Sequence, residues 1–189
     1  MKNLKFNPVL LVITISFSLI SFSCGKEKTQ KKEASSVSPN AAQTAPTENV
    51  ATPIVNNYLK LKEALVKDDN KAAGVAAKEL ANAAASLDVS TLGVQNPGEM
   101  TDIINSIKEH GEHIASADIN HQREHFAMLG NDVTDMLTIV GTDRALYKQN
   151  CPMYNNNKGA DWLSEDSTIK NPYYGAKMLT CGSTIETIK

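Results

Sequence analysis

Four consecutive segments between residues 53 and 140 repeat apolar residues at helical spacing, and no segment of comparable length alternates as a strand would. Each segment gathers its large apolar side chains on one face, so each must pack against another surface. The connections between the segments are only a few residues long, which favours antiparallel neighbours. The sequence therefore predicts an all-α fold, an up-and-down four-helix bundle.

Four residues mark the ends of these helices. Asp69 and Asp118 suit the caps of the second and fourth helices, because a carboxylate accepts hydrogen bonds from first-turn amides. Pro97 suits the first turn of the third helix, and Gly141 suits the end of the fourth. The second segment is rich in alanine and offers a small-residue surface for close packing, although Gly74 lowers its helix propensity.

The character of the chain changes after Gly141. Residues 142–189 combine proline, glycine and asparagine with aromatic residues, a composition typical of turns and short elements. We expect this turn-rich C-terminal segment to fold back onto the bundle, with Trp162, Tyr173 and Tyr174 supplying the contact area.

The first 23 residues resemble a bacterial lipoprotein signal. Lys2 and Lys5 precede an uncharged apolar run, residues 9–20, that is short for a membrane span. The run leads to Cys24, the position of a lipidated cysteine, although Ser21 stands where an aliphatic residue is usual. We interpret residues 1–23 as a lipoprotein signal peptide and Cys24 as the lipidation site. The alternative is a cleaved, soluble secreted protein with Cys24 as a spare thiol.

Residues 24–52 form the predicted link between lipid and domain. They contain almost no bulky apolar residue, so they cannot bury enough surface to offset their chain entropy. We expect a lipidated cysteine and disordered tether, followed by a single helical domain at residues 53–189. The predicted location is the cell envelope, lipid-anchored and facing the periplasm, with the outer membrane favoured over the inner.

The charge of the chain excludes one class of partner. The formal net charge is −2, and removal of residues 1–23 takes away two lysines and no acid, which leaves −4. There is no basic stripe and no interleaving of basic and aromatic residues. A nucleic acid is therefore not an expected partner. We expect the chain to contact the membrane only through the acyl chains attached to Cys24.

All four histidines lie within sixteen residues, at the end of the third helical segment and the start of the fourth. Spacings of three and four place His110 with His113, and His121 with His125, on one helix face each, as metal-binding imidazoles often are. Helical angles put His110 and His125 nearest the apolar stripes and leave His113 and His121 exposed. The imidazoles converge if these flanks face each other, and one ion shared by all four would be strained. The alternative is surface or capping histidines that bind no metal.

Two sulfur pairs follow, Cys151 with Met153 and Met178 with Cys181. Thiolate and thioether ligands together select Cu(I). The alternative is a Cys151–Cys181 disulfide, since only two cysteines are left in an oxidising compartment once Cys24 carries lipid. The methionines would then be packing residues. Both interpretations need the two cysteines to be close.

Other site signatures are missing from the sequence. It has no EF-hand loop, no paired CxxC knuckles and no CxxCH haem motif. It also has no nucleophile elbow, phosphate loop or metalloprotease helix. We therefore do not expect an enzyme.

Three stretches resemble a bacterial family known as domain of unknown function 3347: YLKLKEALVKDDNKAA, EHGEHIASADINHQREHFAML and LYKQNCPMYNNNKGADWLSEDSTIKNPYYGAKMLTCGSTIETI. The CPM, WLS, NPYYG and MLTCG segments are specific in combination. The resemblance implies a helical periplasmic or lipoprotein domain, found alone or joined to membrane-fusion components of heavy-metal efflux systems related to copper and silver export. Because the family has no established activity, it supports metal handling by association only.

Eight potential ligands match this family pattern: His110, His113, His121, His125, Cys151, Met153, Met178 and Cys181. Gln122-Arg123 and Phe126 match as well, and we interpret them structurally. Phe126 is expected in the core, and Arg123 is expected to pair with an acid or with carbonyl groups of the C-terminal region. Gly130 and Tyr154 depart from the pattern without removing a ligand.

The function predicted from these observations is a non-enzymatic, metal-binding lipoprotein of the cell envelope that sequesters Cu(I) or passes it to a heavy-metal efflux complex. Cys151 and Cys181 would supply thiolates, Met153 and Met178 thioethers, and one or two histidines would complete the shell. Four coordination places cannot hold eight donors, so either a subset binds or sulfur and imidazole sites are separate. The alternative is a metal-free structural or protein-interaction module stapled by a Cys151–Cys181 disulfide.

Overall fold

The computed structural model describes residues 49–189. The predicted signal peptide, the lipidation site Cys24 and most of the predicted tether lie outside the described residues. At the end of that tether, Asn49 Nδ2 donates a hydrogen bond to Val140 O (3.2 Å), and Ala51 is buried. Within the described part of the chain, no helix is both long and apolar enough to span a membrane.

The described chain is mostly helical and ends in a small sheet. Its elements are α1 (Thr52–Val66), α2 (Asn70–Ala85), a 3-10 turn (Val89–Thr91), α3 (Pro97–Ser116), α4 (Ile119–Val140), β1 (Leu146–Cys151), a single helical turn (Tyr154–Asn157), β2 (Ala160–Ser164), a second 3-10 turn (Gly175–Lys177) and β3 (Ser183–Ile188).

The predicted helix ends are confirmed. Asp69 accepts a hydrogen bond from Ala72 N (2.9 Å) at the start of α2, and the Asp118 carboxylate caps α4. Pro97 opens α3, and Gly141 ends α4 with a positive φ of 72°. The sequence interpretation missed one cap: Asn96 Oδ1 accepts a hydrogen bond from Glu99 N, one turn into α3.

Small residues let α2 and α3 approach closely. A Cβ on Gly74 would lie 2.9 Å from Ala115 O, and a Cβ on Gly111 would lie 3.0 Å from both Ala77 O and Ala81 Cβ. The expected small-residue surface of α2 therefore packs on a matching surface of α3. The low helix propensity of Gly74 is offset by this contact, which no residue with a side chain could make.

The expectation of an all-α fold is wrong for the C-terminal segment, which contains a three-stranded antiparallel sheet of order β2-β1-β3. In the central strand, Tyr147 lies opposite Ser164 of β2 and Thr187 of β3. The strands are five or six residues long, too short to show a clear alternation. In addition, β3 is an edge strand with exposed side chains, so it has no buried face for the sequence to reveal.

Aromatic side chains join this C-terminal segment to the helices. Tyr58 of α1 stacks on Phe126 of α4 with ring centroids 5.0 Å apart, and Phe126 meets Tyr173 at 5.8 Å. Tyr173 in turn contacts Trp162 of β2 edge to face. Leu163 N donates to the Tyr58 hydroxyl (3.1 Å). Phe126 is therefore in the core, as expected, and Trp162 and Tyr173 supply the predicted contact area.

Arg123 is the one buried arginine of the described chain, and it joins three segments. Its Nε donates to Pro172 O (2.8 Å) in the C-terminal segment. Its Nη2 donates to Leu65 O (3.0 Å) and to Asp68 Oδ1 (2.6 Å) at the turn between α1 and α2. The second Asp68 oxygen accepts a hydrogen bond from Ala176 N (3.0 Å). Both predicted partner types, an acid and carbonyl groups, are present.

We predict opposite effects for two glycine-to-alanine changes within α3. Gly111→Ala should lower the free energy of unfolding by about 1–3 kcal/mol, because the new methyl group meets α2 backbone. Gly98→Ala is the matched control, since its Cβ would meet only Asn96 Oδ1 at an ordinary 3.6 Å. It should raise the free energy of unfolding by up to about 1 kcal/mol through helix propensity. Urea unfolding measures both, and equal effects would contradict the close contact.

We also predict that Arg123→Gln lowers the free energy of unfolding by about 2–4 kcal/mol, because the buried carbonyl groups of Leu65 and Pro172 lose their donor.

The hydrogen bond from Arg123 is the largest of the effects that lower the pKa of Asp68. A carboxyl whose folded-state pKa is lowered contributes stability at neutral pH, and this contribution is lost as the pH falls through that pKa. Acid unfolding of Asp68→Asn should therefore depend less on pH below about 4 than that of the wild type. Identical acid profiles would contradict this assignment.

Candidate metal centre

The four histidines meet at the turn between α3 and α4. Only Ala117 and Asp118 separate the two helices, so the chain reverses sharply and brings the end of α3 beside the start of α4. The centroid of the His125 ring lies 5.2 Å from that of His110 and 4.6 Å from those of both His113 and His121.

Hydrogen bonds fix this turn against the start of α2. Asn70 Nδ2 donates to Ala117 O (2.9 Å). The buried Gln122 amide donates to Asn70 O and to Ile114 O, both at 3.1 Å. The matched Gln122-Arg123 pair therefore anchors α4 twice, with Gln122 bound to the first residue of α2 and Arg123 bound to the turn directly before it.

His125 is the centre of the cluster. Its Nε2 lies 3.3 Å from His113 Nδ1 and 3.1 Å from His121 Nε2, and its Nδ1 lies 3.0 Å from His110 Nδ1. A ring nitrogen of a neutral imidazole either carries one proton or offers one lone pair. His125 Nε2 therefore cannot form full hydrogen bonds to both of its neighbours. A single cation would accept a lone pair from each of these three nitrogens.

The spacings of these nitrogens suit a shared ion. Two nitrogens about 2.0–2.1 Å from a tetrahedral metal lie about 3.3 Å apart. Two of the three separations within His113, His121 and His125 are 3.3 and 3.1 Å, and all three ligand atoms lie within 4.8 Å of one another. His113 and His121 are exposed, as the helical angles predicted, so their rings are free to rotate and close the third separation.

His110 lies behind His125 rather than among the three ligand atoms. If His125 Nε2 holds an ion, its Nδ1 carries the proton and donates to His110 Nδ1, which leaves the proton of His110 on Nε2. That nitrogen lies 3.5 Å from Asp132 Oδ2. Among residues 49–189, this buried oxygen has no hydrogen-bond partner. A carboxylate often orients a metal-bound histidine directly, and here Asp132 would act on His125 through His110.

His121 has a similar arrangement. Its Nε2 faces His125, and its Nδ1 lies 3.2 Å from Glu124 Oε2. Glu124 and Asp132 are the residues that the sequence interpretation missed. Both were detectable in principle, because Glu124 follows His121 by three residues and Asp132 follows His125 by seven, which places each on the histidine side of α4.

The surroundings of the cluster lower the pKa of His125 and raise the pKa of Asp132. Burial lowers the pKa of His125, and the neighbouring His113, His121 and His110 lower it further, against a small opposing effect of Glu124. The imidazole is therefore neutral at pH 7 and offers a lone pair. Burial raises the pKa of Asp132, Asp135 adds to this, and His110 opposes it.

The cysteines are not part of the compact histidine group. Cys151 Sγ and Cys181 Sγ are 3.3 Å apart, so the two cysteines are close, as both interpretations required. Among the described residues, the only group of three or more His, Cys, Asp or Glu side chains compact enough for one ion is His113, His121 and His125. Met153 is 47% exposed. Cys181 N donates to Met178 O (3.0 Å), and this backbone hydrogen bond involves neither sulfur atom.

Comparison with known proteins identifies one part of the chain. The model of the family described as "Protein of unknown function (DUF3347)" matches residues 54–145. No significant match was found among curated proteins or among solved structures. The matched range contains all four histidines and ends before β1, so it is narrower than the resemblance inferred from the sequence and leaves out both sulfur pairs. Residues 54–145 are therefore identified as a domain of this family of unknown function.

Proposed function

We propose that this domain binds one transition-metal ion through His113 Nδ1, His121 Nε2 and His125 Nε2. The supporting observation is that His125 Nε2 lies within 3.3 Å of a nitrogen from each of the other two rings, an arrangement that hydrogen bonds alone do not satisfy. His110 and Asp132 orient His125 from behind, and Glu124 orients His121.

Three imidazoles suit copper, zinc, nickel or iron rather than calcium or magnesium. For one set of nitrogen ligands, the affinity of divalent first-row ions rises to Cu²⁺ and falls again at Zn²⁺. Copper is therefore the ion we propose. The expected Cu(I) site depended on thiolates and thioethers acting together. The compact group of potential ligands in the described chain consists of histidines and contains no cysteine, which supports an imidazole site instead.

The proposed role is binding and transfer rather than catalysis. Two of the three ligands are exposed at the end of a helical hairpin, so at least one coordination position faces solvent and can be taken by a donor or acceptor molecule. We interpret the four helices as an up-and-down bundle that presents this end, because each helix packs on the next and α1 also contacts α4. A lipid anchor in the cell envelope and a heavy-metal efflux complex as partner are parts of the same proposal that come from the sequence.

We predict that the metal-free chain binds one Zn²⁺ and that His125→Ala weakens this binding by more than about 100-fold, since loss of a ligand costs more than loss of an outer residue. His110→Gln should weaken it by about 10–100-fold, because His110 acts through His125. Isothermal titration calorimetry measures both. Zn²⁺ is the first probe because it has no redox chemistry with the cysteines.

The matched control is the double variant Cys151→Ser, Cys181→Ser, which should keep the wild-type affinity for Zn²⁺. Competition by Cu²⁺ in this thiol-free background then tests the proposed preference for copper. Far-ultraviolet circular dichroism confirms that each variant is folded. Wild-type affinity in His125→Ala, or a large loss in the double cysteine variant, would contradict the imidazole site.

A further inference from the structure

Cys151 and Cys181 form a second pair of reactive side chains that the proposed metal site does not use. Cys151 is the last residue of β1, and Cys181 lies two residues before β3 begins. These strands are antiparallel neighbours, with Asn150 opposite Ser183. The two cysteines therefore face each other across the end of the β1–β3 ladder, with Sγ atoms 3.3 Å apart.

The two thiols differ in accessibility. Cys151 is fully buried, with 0% of its surface exposed, within the hydrophobic core. Cys181 is only partly buried at the edge of that core. A molecule from solvent can therefore reach the sulfur of Cys181 but not that of Cys151. Cys181 is therefore placed to react with an incoming reagent, and Cys151 is placed to react with the adduct that forms on Cys181.

The backbone around Cys181 is held in place. Its carbonyl oxygen accepts a hydrogen bond from Asn171 Nδ2 (2.7 Å), and its amide donates to Met178 O (3.0 Å). Asn171 is itself buried, and its Oδ1 accepts hydrogen bonds from Tyr173 N and Tyr174 N. Bond formation between the cysteines thus needs a small movement of two side chains and no rearrangement of this loop.

We propose that Cys181 and Cys151 form a thiol–disulfide exchange site that accepts oxidising equivalents from alkyl disulfides. The Cys181 thiolate attacks one sulfur of the donor, which forms a mixed disulfide and releases the first donor thiolate. Cys151 then loses its proton and attacks Cys181 Sγ, which forms the Cys151–Cys181 bond and releases the second donor thiolate. The cysteine pair loses two electrons and two protons, and the donor disulfide gains two electrons.

The bond would hold the weakest element of the sheet. All β3 side chains except Ile188 are exposed, so the strand is attached mainly through its ladder with β1. The new bond joins residues thirty positions apart and ties the start of β3 to the buried end of β1. Opening of β3 alone then becomes rarer, and its amide protons exchange more slowly.

Because Cys181 reacts first, the two single cysteine variants should behave differently. The test uses the full chain carrying Cys24→Ser, so that only Cys151 and Cys181 are present as thiols. The hydrogen bond with Cys151, together with burial, raises the pKa of Cys181, and the thiolate is the nucleophile. The protein is therefore stripped of metal, held in chelator and treated with oxidised glutathione at about pH 9.5. Intact-mass analysis should find an internal disulfide without glutathione in the parent. It should find one glutathione on Cys151→Ser, which keeps the accessible thiol, and none on Cys181→Ser, which keeps the buried thiol.

Hydrogen exchange then tests the structural effect, since amides of β3 should exchange about tenfold or more slowly in the oxidised parent than in the reduced parent. The same comparison in Cys151→Ser should show no difference. Glutathione addition at equal rates in the two single variants, or a parent that stays fully reduced, would overturn the proposal. Both results are independent of the histidines, so they leave the metal proposal unaffected.

Discussion

The buried guanidinium of Arg123 connects three parts of this chain that are distant in sequence. It donates to Leu65 O and Asp68 at the α1–α2 turn and to Pro172 O in the C-terminal segment, while its own backbone belongs to α4. Arg123 and His121 project from nearly opposite sides of α4, two residues apart. By fixing one side of α4 against these carbonyl groups, Arg123 sets the rotation that turns His121 and His125 towards α3.

The four helices were predictable because the sequence patterns that specify them are local. Helical spacing, the carboxylate caps Asp69 and Asp118 and the glycine at 141 each act within one or two turns. Angles along each helix also predicted which side of the stripe each histidine occupies. The position of Asp132 against His110 was not predictable in the same way, because it depends on the relative rotation of two helices.

The C-terminal segment was predicted less well because its strands pair with partners that are distant in sequence. The central strand β1 pairs with β2 nearby and with β3 more than thirty residues further on, and β3 has no buried face of its own. The closeness of Cys151 and Cys181 follows from that pairing. The cysteines thus lie at the end of β1 and just before β3, whereas the histidines lie on either side of the α3–α4 turn.

We propose that imidazoles, and not sulfur, hold the ion. X-ray absorption spectroscopy at the zinc edge, on the full chain loaded with one Zn²⁺ under reducing conditions, tests this most directly. We expect a first shell of nitrogen and oxygen at about 2.0–2.1 Å, with the outer-shell scattering of about three imidazole rings. Sulfur scatterers at about 2.3 Å would contradict it and assign the ion to Cys151 and Cys181.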